Sequence, residues 1–282
     1  MSADSPESIT LVAPDGAQAT LSLHGGHLLS WQPVGGVEQL YLSPRSEFAP
    51  GKAIRGGVPV CFPQFAERGS LPRHGFARTA LWELVSQEQG QDDALAVLRL
   101  RDSDATRAIW PHAFELELSV RVSGRSLDIE LACEHRGQPD DAPLQFTAAL
   151  HTYLRVGDLD AVSVEGLAGL RYFDAVKQAE ALQRMDLLLT GEKGVLDLDR
   201  IYFGVKERPL LVSEERRQLT LQQQGFDDTV VWNPGPDRCA KLADMPPQDW
   251  SQMLCVEAAC IGRPIELQPG ESWVGRQSLT LL

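Results

Sequence analysis

The amino-acid sequence predicts an all-β protein, a large antiparallel β-sandwich with few short helices, and three observations support this prediction. Apolar and polar residues alternate with a period of two along much of the chain, as in strands that bury one face. Two such runs, 114–122 and 127–133, flank a Ser-Gly-Arg-Ser turn, which is typical of an antiparallel hairpin. Long helical patterns are scarce.

The same alternation predicts the individual strands in chain order. They cover residues 8–12, 19–24, 114–122, 127–133, 147–156, 211–223, 253–261, 265–273 and 277–282. A Pro269-Gly270 pair predicts a tight turn before the closing strand. Short helical turns are predicted at 103–109 and 246–252, where Pro246 and Pro247 suit a first turn and Asp244 is a candidate cap.

The chain shows no internal boundary. No stretch changes to linker composition, and no block of the length typical of repeat proteins recurs. Residues 1–282 are therefore predicted to form a single domain. A sandwich of this size would carry its ligand on a concave face or at its loop ends.

Composition and charge exclude several classes of partner. The 39 acidic and 26 basic residues give a net charge of −13, so no broad basic surface is expected to bind nucleic acid or anionic lipid. No apolar run approaches a membrane span, and the first residues do not resemble a secretory signal. The five cysteines form no C-x-x-C pair and are expected to be reduced and mostly buried. We expect a cytoplasmic monomer.

Common catalytic motifs are missing, but two segments rich in glycine and proline carry cations. The sequence has no P-loop, nucleophile elbow, H-E-x-x-H or G-x-G-x-x-G pattern. Segments 54–65 and 71–78 contain Arg55, His74 and Arg78 within rigid loops, and such loops position side chains for a ligand. The alternative is that the two arginines lie on the surface and the histidine is satisfied by backbone.

Two further titratable residues lie within predicted strands. Glu257 is a single carboxylate within an apolar run, where a buried charge is costly unless it has a partner or a raised pKa. It is a candidate general base. His151 lies in the alternating segment 147–156, and taken alone it is more typical of a satisfied core histidine.

Taken in order, these segments resemble a known family. The motifs are Ile54-Arg-Gly-Gly-Val-Pro, Pro72-Arg-His-Gly-Phe-Ala-Arg, Leu150-His-Thr-Tyr-Leu-Arg-Val, Asp199-Arg-Ile-Tyr and Cys255-Val-Glu-Ala. The chain resembles the glucose-6-phosphate 1-epimerases, the hexose-phosphate branch of the aldose 1-epimerase family. The resemblance implies a β-sandwich with a sugar cleft and the interconversion of the α and β anomers of a hexose 6-phosphate by ring opening and closure, without metal or organic cofactor.

The resemblance also implies a role for each site residue. Glu257 matches the general base and His151 the general acid, while His74 resembles a second histidine that binds the sugar near its ring oxygen. Asp199 matches the acidic residue that binds sugar hydroxyls, with a solvated turn carboxylate as the alternative. Mutual attraction is expected to keep Glu257 and His151 ionised.

The arginines bear on the substrate class, because a sugar phosphate needs a local cationic pocket in an acidic protein. Arg55 and Arg78 resemble that pocket, and guanidinium groups bind phosphate oxygens in pairs. Contacts of Trp232, Arg73 and Arg263 with substrate are left open.

Two alternative functions remain. One is mutarotation of free hexoses, with Arg55 and Arg78 structural. The other is a non-catalytic carbohydrate-binding protein of the same fold.

Overall fold

The structure, a computed structural model, describes residues 8–189, 197–215 and 217–282. Its strands are β1 (Ser8–Val12), β2 (Gln18–Ser22), β3 (His27–Gln32), β4 (Val60–Cys61), β5 (Glu83–Gln89), β6 (Ala94–Arg101), β7 (Phe114–Ser123), β8 (Ser126–His135), β9 (Leu144–Leu150), β10 (Tyr153–Arg155), β11 (Ser163–Glu165), β12 (Arg171–Asp174), β13 (Ala179–Leu182), β14 (Leu187–Leu188), β15 (Leu198–Tyr202), β16 (Leu210–Glu214), β17 (Arg217–Gln224), β18 (Asp228–Asn233), β19 (Met253–Leu267) and β20 (Ser272–Leu281).

Helix in the described part of the chain is confined to short segments. Helix α1 (Asp104–Ile109) forms where the sequence predicts it, and the Ser103 hydroxyl caps it by accepting the Thr106 amide. A second helix, α2 (Gly235–Cys239), was not predicted. Further 3₁₀ turns span Ala77–Thr79, Leu159–Ala161 and Asp249–Gln252. No helix in the described ranges is long and apolar enough to cross a membrane.

The described strands form three antiparallel sheets. A nine-stranded sheet has the order β14-β11-β16-β17-β20-β8-β7-β6-β5, and an eight-stranded sheet has the order β13-β12-β15-β18-β19-β9-β4, with β10 also paired to β19. Strands β1 to β3 form a third, small sheet. The hairpin predicted at 114–133 is β7 and β8, paired over their full length. The predicted all-β antiparallel sandwich is confirmed.

The core and the cleft lie on opposite faces of the eight-stranded sheet. Strand β8, in the nine-stranded sheet, alternates between buried and half-buried residues, as expected when only one face packs on the core. Strands of the eight-stranded sheet differ. Strand β19 is buried on both faces from Met253 to Ile261. Leu254 and Val256 point into the main core, whereas Cys255 and Ala259 belong to smaller clusters on the other face. Glu257 is two residues after Cys255 on the same strand, so both side chains lie on the face that lines the cleft.

Several predicted segments differ from the structure. The strands predicted at 253–261 and 265–273 are instead one continuous strand, β19, which ends at Leu267, and β20 begins at Ser272. The strand predicted at 147–156 is interrupted after β9 and resumes at β10, because the Thr152 amide between them turns back to donate to the Leu150 carbonyl at 2.9 Å. The run 211–223 is a hairpin of β16 and β17, with residue 216 outside the described ranges. The helical turn predicted at 246–252 is reduced to a 3₁₀ turn that has no side-chain cap, so Asp244 does not cap it.

Candidate active site

Strand register brings the two predicted proton-transfer residues together. Leu150 at the end of β9 pairs with Ala258 of β19, and the pairing continues in the same register in β10. This register places His151 opposite Glu257. The His151 amide donates to the Pro59 carbonyl at 2.9 Å, which holds the backbone in place at the strand interruption. Both side chains therefore project from adjacent strands into the same cleft.

Two glycines hold Arg55 at the wall of this cleft. Gly57 has a φ of +59°, and a Cβ there would lie 2.2 Å from the Leu28 carbonyl oxygen. Gly56 has a φ of +107°, and its carbonyl is 2.8 Å from Nε2 of the fully buried His27. The chain can turn this tightly only without side chains at these two positions.

All six predicted site residues line one cavity of about 280 Å³. These residues are Arg55, His74, Arg78, His151, Asp199 and Glu257. They come from three loops and from strands β15 and β19, and they lie far apart in the chain. The structure therefore brings together every residue that the motif resemblance singled out.

The Glu257 carboxylate and the His151 ring form the deepest part of the site. Glu257 is 1% exposed and His151 is 9% exposed, and Glu257 Oε1 lies 3.4 Å from His151 Nδ1. Burial raises the pKa of Glu257 well above its ordinary value and lowers the pKa of His151 well below its own. Both directions favour the uncharged forms. Mutual attraction across 3.4 Å opposes both directions, so the ionised pair stays a prediction.

Neighbouring rings fix the orientation of His151. Its ring stacks on Tyr153, with centroids 4.8 Å apart and planes tilted by 12°. Trp232 and His74 both approach it edge-on, at 5.9 Å and 5.6 Å. Trp232 lies near the end of β18 and lines the cavity. The three rings leave His151 little freedom to rotate away from Glu257.

His74 is held as a neutral hydrogen-bonding group. Its Nδ1 accepts the Ala66 amide at 3.3 Å and lies 3.1 Å from the Cys61 sulfur, so the ring proton belongs on Nε2. Burial, followed by the charges of Arg78, Arg73 and Arg55, lowers the pKa of His74 to about 3. The residue is available as a donor through Nε2.

The two predicted phosphate ligands differ in their partners. Arg55 donates through Nε to Asp244 at 3.2 Å and through a terminal nitrogen to the Tyr153 hydroxyl at 3.0 Å. Arg78 donates to the Arg73 carbonyl at 3.0 Å, while its Nε is buried and unpartnered within the described residues. No carboxylate of the described chain forms an ion pair with Arg78. The Arg78 guanidinium is thus a partly buried cation, and an anion bound beside it would offset its cost of desolvation.

The remaining candidates divide between the cavity and the surface. Asp199 lines the cavity, lies 3.7 Å from Arg238, and has its pKa raised by burial. Arg73 also lines the cavity, although its side chain is 66% exposed. Arg263 does not line this cavity and lies instead in a separate surface depression with Arg68.

Sequence reasoning missed three residues that shape the site. Tyr153 could have been found, because alternation places it on the same face as His151. Asp244 carried no signal for this role, since its partner Arg55 is far away in the chain and only the fold brings them within 3.1 Å. Cys255 was read only as a buried thiol, yet its sulfur lies within 4.8 Å of donor atoms on His151 and Glu257. These three residues are the only described set of histidine, cysteine and carboxylate donors arranged closely enough to hold a metal ion.

Comparison with known proteins agrees with this geometry. A family model described as aldose 1-epimerase matches residues 7–280. A Cenchrus ciliaris protein named as a candidate glucose-6-phosphate 1-epimerase is 35% identical over 281 residues, which span 97% of this chain and 84% of that protein. An Escherichia coli K12 protein of the same name is 38% identical over 259 residues, or 90% of this chain and 84% of that protein.

Solved structures give the same result. The crystal structure of a candidate mutarotase from Salmonella typhimurium matches with a TM-score of 0.87 and 30% identity, covering 99% of this chain and 91% of that one. The fold and the cleft thus define a sugar-converting β-sandwich of the mutarotase type. The chain belongs to the aldose 1-epimerase family. The resemblance drawn from the motifs, and the isomerase class that it implied, are confirmed.

Proposed function

We propose that this protein is a cofactor-independent epimerase that interconverts the α and β anomers of hexose 6-phosphates, with glucose 6-phosphate as the principal substrate. The observation that carries the proposal is the presence in one cavity of the Glu257–His151 pair and of Arg78, a cation without a carboxylate partner in the described residues. An acid–base pair alone would serve any aldose. The unpaired guanidinium favours an anionic one.

The proposed reaction consists of two coupled proton transfers. Glu257 takes the proton of the C1 hydroxyl while protonated His151 gives a proton to the ring oxygen, and the bond between C1 and the ring oxygen breaks to give the open-chain aldehyde. Rotation about C1–C2 then exposes the other face of the carbonyl. Ring closure reverses both transfers, so the enzyme returns to its starting state with no net gain or loss of protons.

The burial of the pair suits this cycle. Ring opening converts a carboxylate and an imidazolium into a carboxylic acid and a neutral imidazole, which are the forms that burial favours. The environment of Glu257 and His151 therefore stabilises the enzyme form that accompanies the open-chain intermediate. A raised pKa also makes Glu257 a stronger base, and a lowered pKa makes protonated His151 a stronger acid.

Arg55 and Arg78 are the proposed phosphate ligands. Asp244 and Tyr153 hold the Arg55 side chain in one orientation, which reduces the entropy lost when it binds a phosphate oxygen. The positive charges of both arginines contribute to the lowered pKa of His151. A bound phosphate dianion offsets those charges and so favours the protonated His151 that the reaction requires.

The other cavity residues fit a single sugar ring. A volume of about 280 Å³ lies at the lower end of ligand pockets and suits a monosaccharide better than an oligosaccharide. We assign Asp199 to sugar hydroxyls, the Nε2 proton of His74 to an oxygen near the ring oxygen, and Trp232 to stacking on the ring face. Arg73 lies close enough to assist phosphate binding.

We further propose that the chain acts as a single-domain monomer in the cytoplasm. The main core cluster runs from Ile9 to Leu279 and draws on all three sheets, which supports one domain. One chain supplies every lining residue of the cavity, so the chemistry needs no second copy. The cysteines are all buried and unpaired, as suits a reducing compartment.

The test is a comparison of two sugars at equal concentration. Conversion of the α to the β anomer is followed with an anomer-specific dehydrogenase, for glucose 6-phosphate and for glucose, against a control without enzyme. We expect kcat/KM for the phosphate sugar to exceed that for glucose by at least about 100-fold, because charged contacts to phosphate contribute several kcal/mol.

Other outcomes would replace the proposal. Equal acceleration of both sugars would indicate a mutarotase of free hexoses in which Arg55 and Arg78 are structural. Acceleration of neither sugar, with binding still measurable, would indicate a non-catalytic carbohydrate-binding protein.

A further inference from the structure

Three potential metal ligands converge beneath the cavity. Cys255 and Glu257 are two positions apart on β19 and share its cleft face, and strand register places His151 opposite Glu257. One donor atom from each residue, a sulfur, an oxygen and a nitrogen, lies within 4.8 Å of the other two. Each donor comes from a strand or from the short link between two paired strands, so the backbone fixes where the three side chains start.

Two of these donors lack partners. His151 Nδ1 and Glu257 Oε2 are buried and form no hydrogen bond with any described residue. Both residues are at least nine-tenths buried, with exposures of 9% and 1%. Buried polar atoms are normally satisfied, so two adjacent unsatisfied acceptors indicate a site for a proton donor or a cation.

The spacing is close to that of a zinc site. Zinc bond lengths of about 2.0–2.3 Å place tetrahedral ligands about 3.3–3.8 Å apart. Glu257 Oε1 and His151 Nδ1 are already 3.4 Å apart. The longest separation in the set is at most 4.8 Å, so side-chain movement of about 1 Å would bring all three donors to zinc-bonding distance.

We propose that Cys255, His151 and Glu257 bind a borderline-soft divalent cation, with Zn²⁺ as the matching ion, and that the bound metal switches off the epimerase. Binding displaces the thiol proton, and any carboxyl proton, into solvent. A thiolate, a carboxylate and a neutral imidazole then neutralise the dication, so the buried complex carries no net charge. His151 and Glu257 also line the cavity, so the bound ion would lie next to it.

The donor set determines which ions fit. A thiolate with an imidazole and a carboxylate suits Zn²⁺ and its analogue Co²⁺, whereas Mg²⁺ and Ca²⁺ prefer oxygen ligands only. Inhibition follows because the metal occupies both proton-transfer groups. The inhibitory half of the inference rests on the proposed function, whereas metal binding by these three residues does not.

The binding test uses Co²⁺ alone as a spectroscopic probe of the whole protein, after removal of metals with a chelator. We expect about one equivalent of Co²⁺ to produce a thiolate-to-cobalt charge-transfer band, and Zn²⁺ to remove it. Cys255→Ala should abolish the band and weaken Zn²⁺ binding by at least about tenfold, measured against a chromophoric chelator. Cys260→Ala is the matched control, because Cys260 lies on the same strand but donates to the Gly225 carbonyl in the main core. It should keep the band.

The inhibition test uses the epimerase assay with graded Zn²⁺. We expect reversible inhibition of the wild type, relieved by chelator, and an active Cys255→Ala enzyme that Zn²⁺ no longer inhibits at the same concentrations. If Cys255→Ala unfolds, as judged by circular dichroism, Cys255→Ser replaces it. Absence of the cobalt band in wild-type protein, or a band that survives loss of Cys255, overturns the site.

The two proposals fail in distinguishable ways. Metal binding without inhibition of an active enzyme overturns the regulatory half alone. A wild-type protein that binds Co²⁺ through Cys255 but converts no sugar leaves the metal site standing and refutes the proposed function.

Discussion

Replacing Glu257 with glutamine removes the proposed base with the smallest change of shape. The carboxylate is 1% exposed and lines the cavity, where it takes the C1 proton in the proposed reaction. General acid–base catalysis contributes about 10²–10⁴-fold, and full burial leaves no substitute base at the same place. We therefore expect Glu257→Gln to lower kcat for glucose 6-phosphate by at least about 100-fold, equivalent to ~3 kcal/mol of transition-state stabilisation.

The same substitution should not destabilise the fold. Burial raises the pKa of Glu257, which means that the folded protein disfavours the charged form. Glutamine has nearly the same volume and carries no charge, so the melting temperature is expected to stay the same or rise. KM should change little, because Arg55 and Arg78 remain in place to bind the phosphate.

Glu266→Gln provides the matched control. It is the same substitution on the same strand, but Glu266 is exposed and hydrogen-bonds with Gln145. Anomerisation rates and melting temperatures are measured for both variants and the wild type. A folded Glu257→Gln enzyme with activity within about tenfold of the wild type would refute the assignment of the base.

Three further predictions concern the arginines and a buried histidine. Arg78→Gln should raise KM for glucose 6-phosphate at least about tenfold and leave activity on glucose unchanged, since a charged hydrogen bond contributes about 1.5–3 kcal/mol; equal effects on both sugars would contradict a phosphate role. Asp244→Asn should raise the same KM about fivefold at constant kcat, because Arg55 loses a charged partner worth ~1 kcal/mol; a change in kcat alone would contradict this. Burial lowers the pKa of His27 to about 4, below its usual 6.5. Its neutral form therefore stabilises the fold above pH 6.5, and this stability is lost as the pH falls towards 4. His27→Asn should reduce the slope of unfolding free energy against pH in this window, followed by denaturant titration, by up to ~1.4 kcal/mol per pH unit. An unchanged slope would show that His27 is protonated in the folded state.

Alternation in the sequence was sufficient to predict the antiparallel class, part of the strands, and strand positions for His151 and Glu257. The period of two by itself assigns Glu257 to the face opposite Val256, and an isolated carboxylate in an apolar run indicates a special environment. The hairpin at 114–133 and helix α1 are determined by local turn and cap residues. Such features depend only on near neighbours in the chain, so they can be read from it.

Features that depend on distant partners could not be predicted. At the strand interruption the His151 amide donates to the Pro59 carbonyl, which belongs to a distant loop. Asp244 looked like a helix cap, but its charge pairs with Arg55 of a distant loop. The depth at which Glu257 is buried is also a property of the whole fold, so it could not be predicted from near neighbours in the chain.

The central claim is that this cleft interconverts the anomers of a phosphorylated hexose. Exchange NMR on an equilibrium mixture of α- and β-glucose 6-phosphate measures this directly, because the anomeric protons report interconversion without a coupling enzyme. A catalytic amount of the wild-type protein should produce rapid exchange between the two anomeric signals, and Glu257→Gln should leave them near the uncatalysed rate. Exchange at the uncatalysed rate with active-site residues intact would contradict the account.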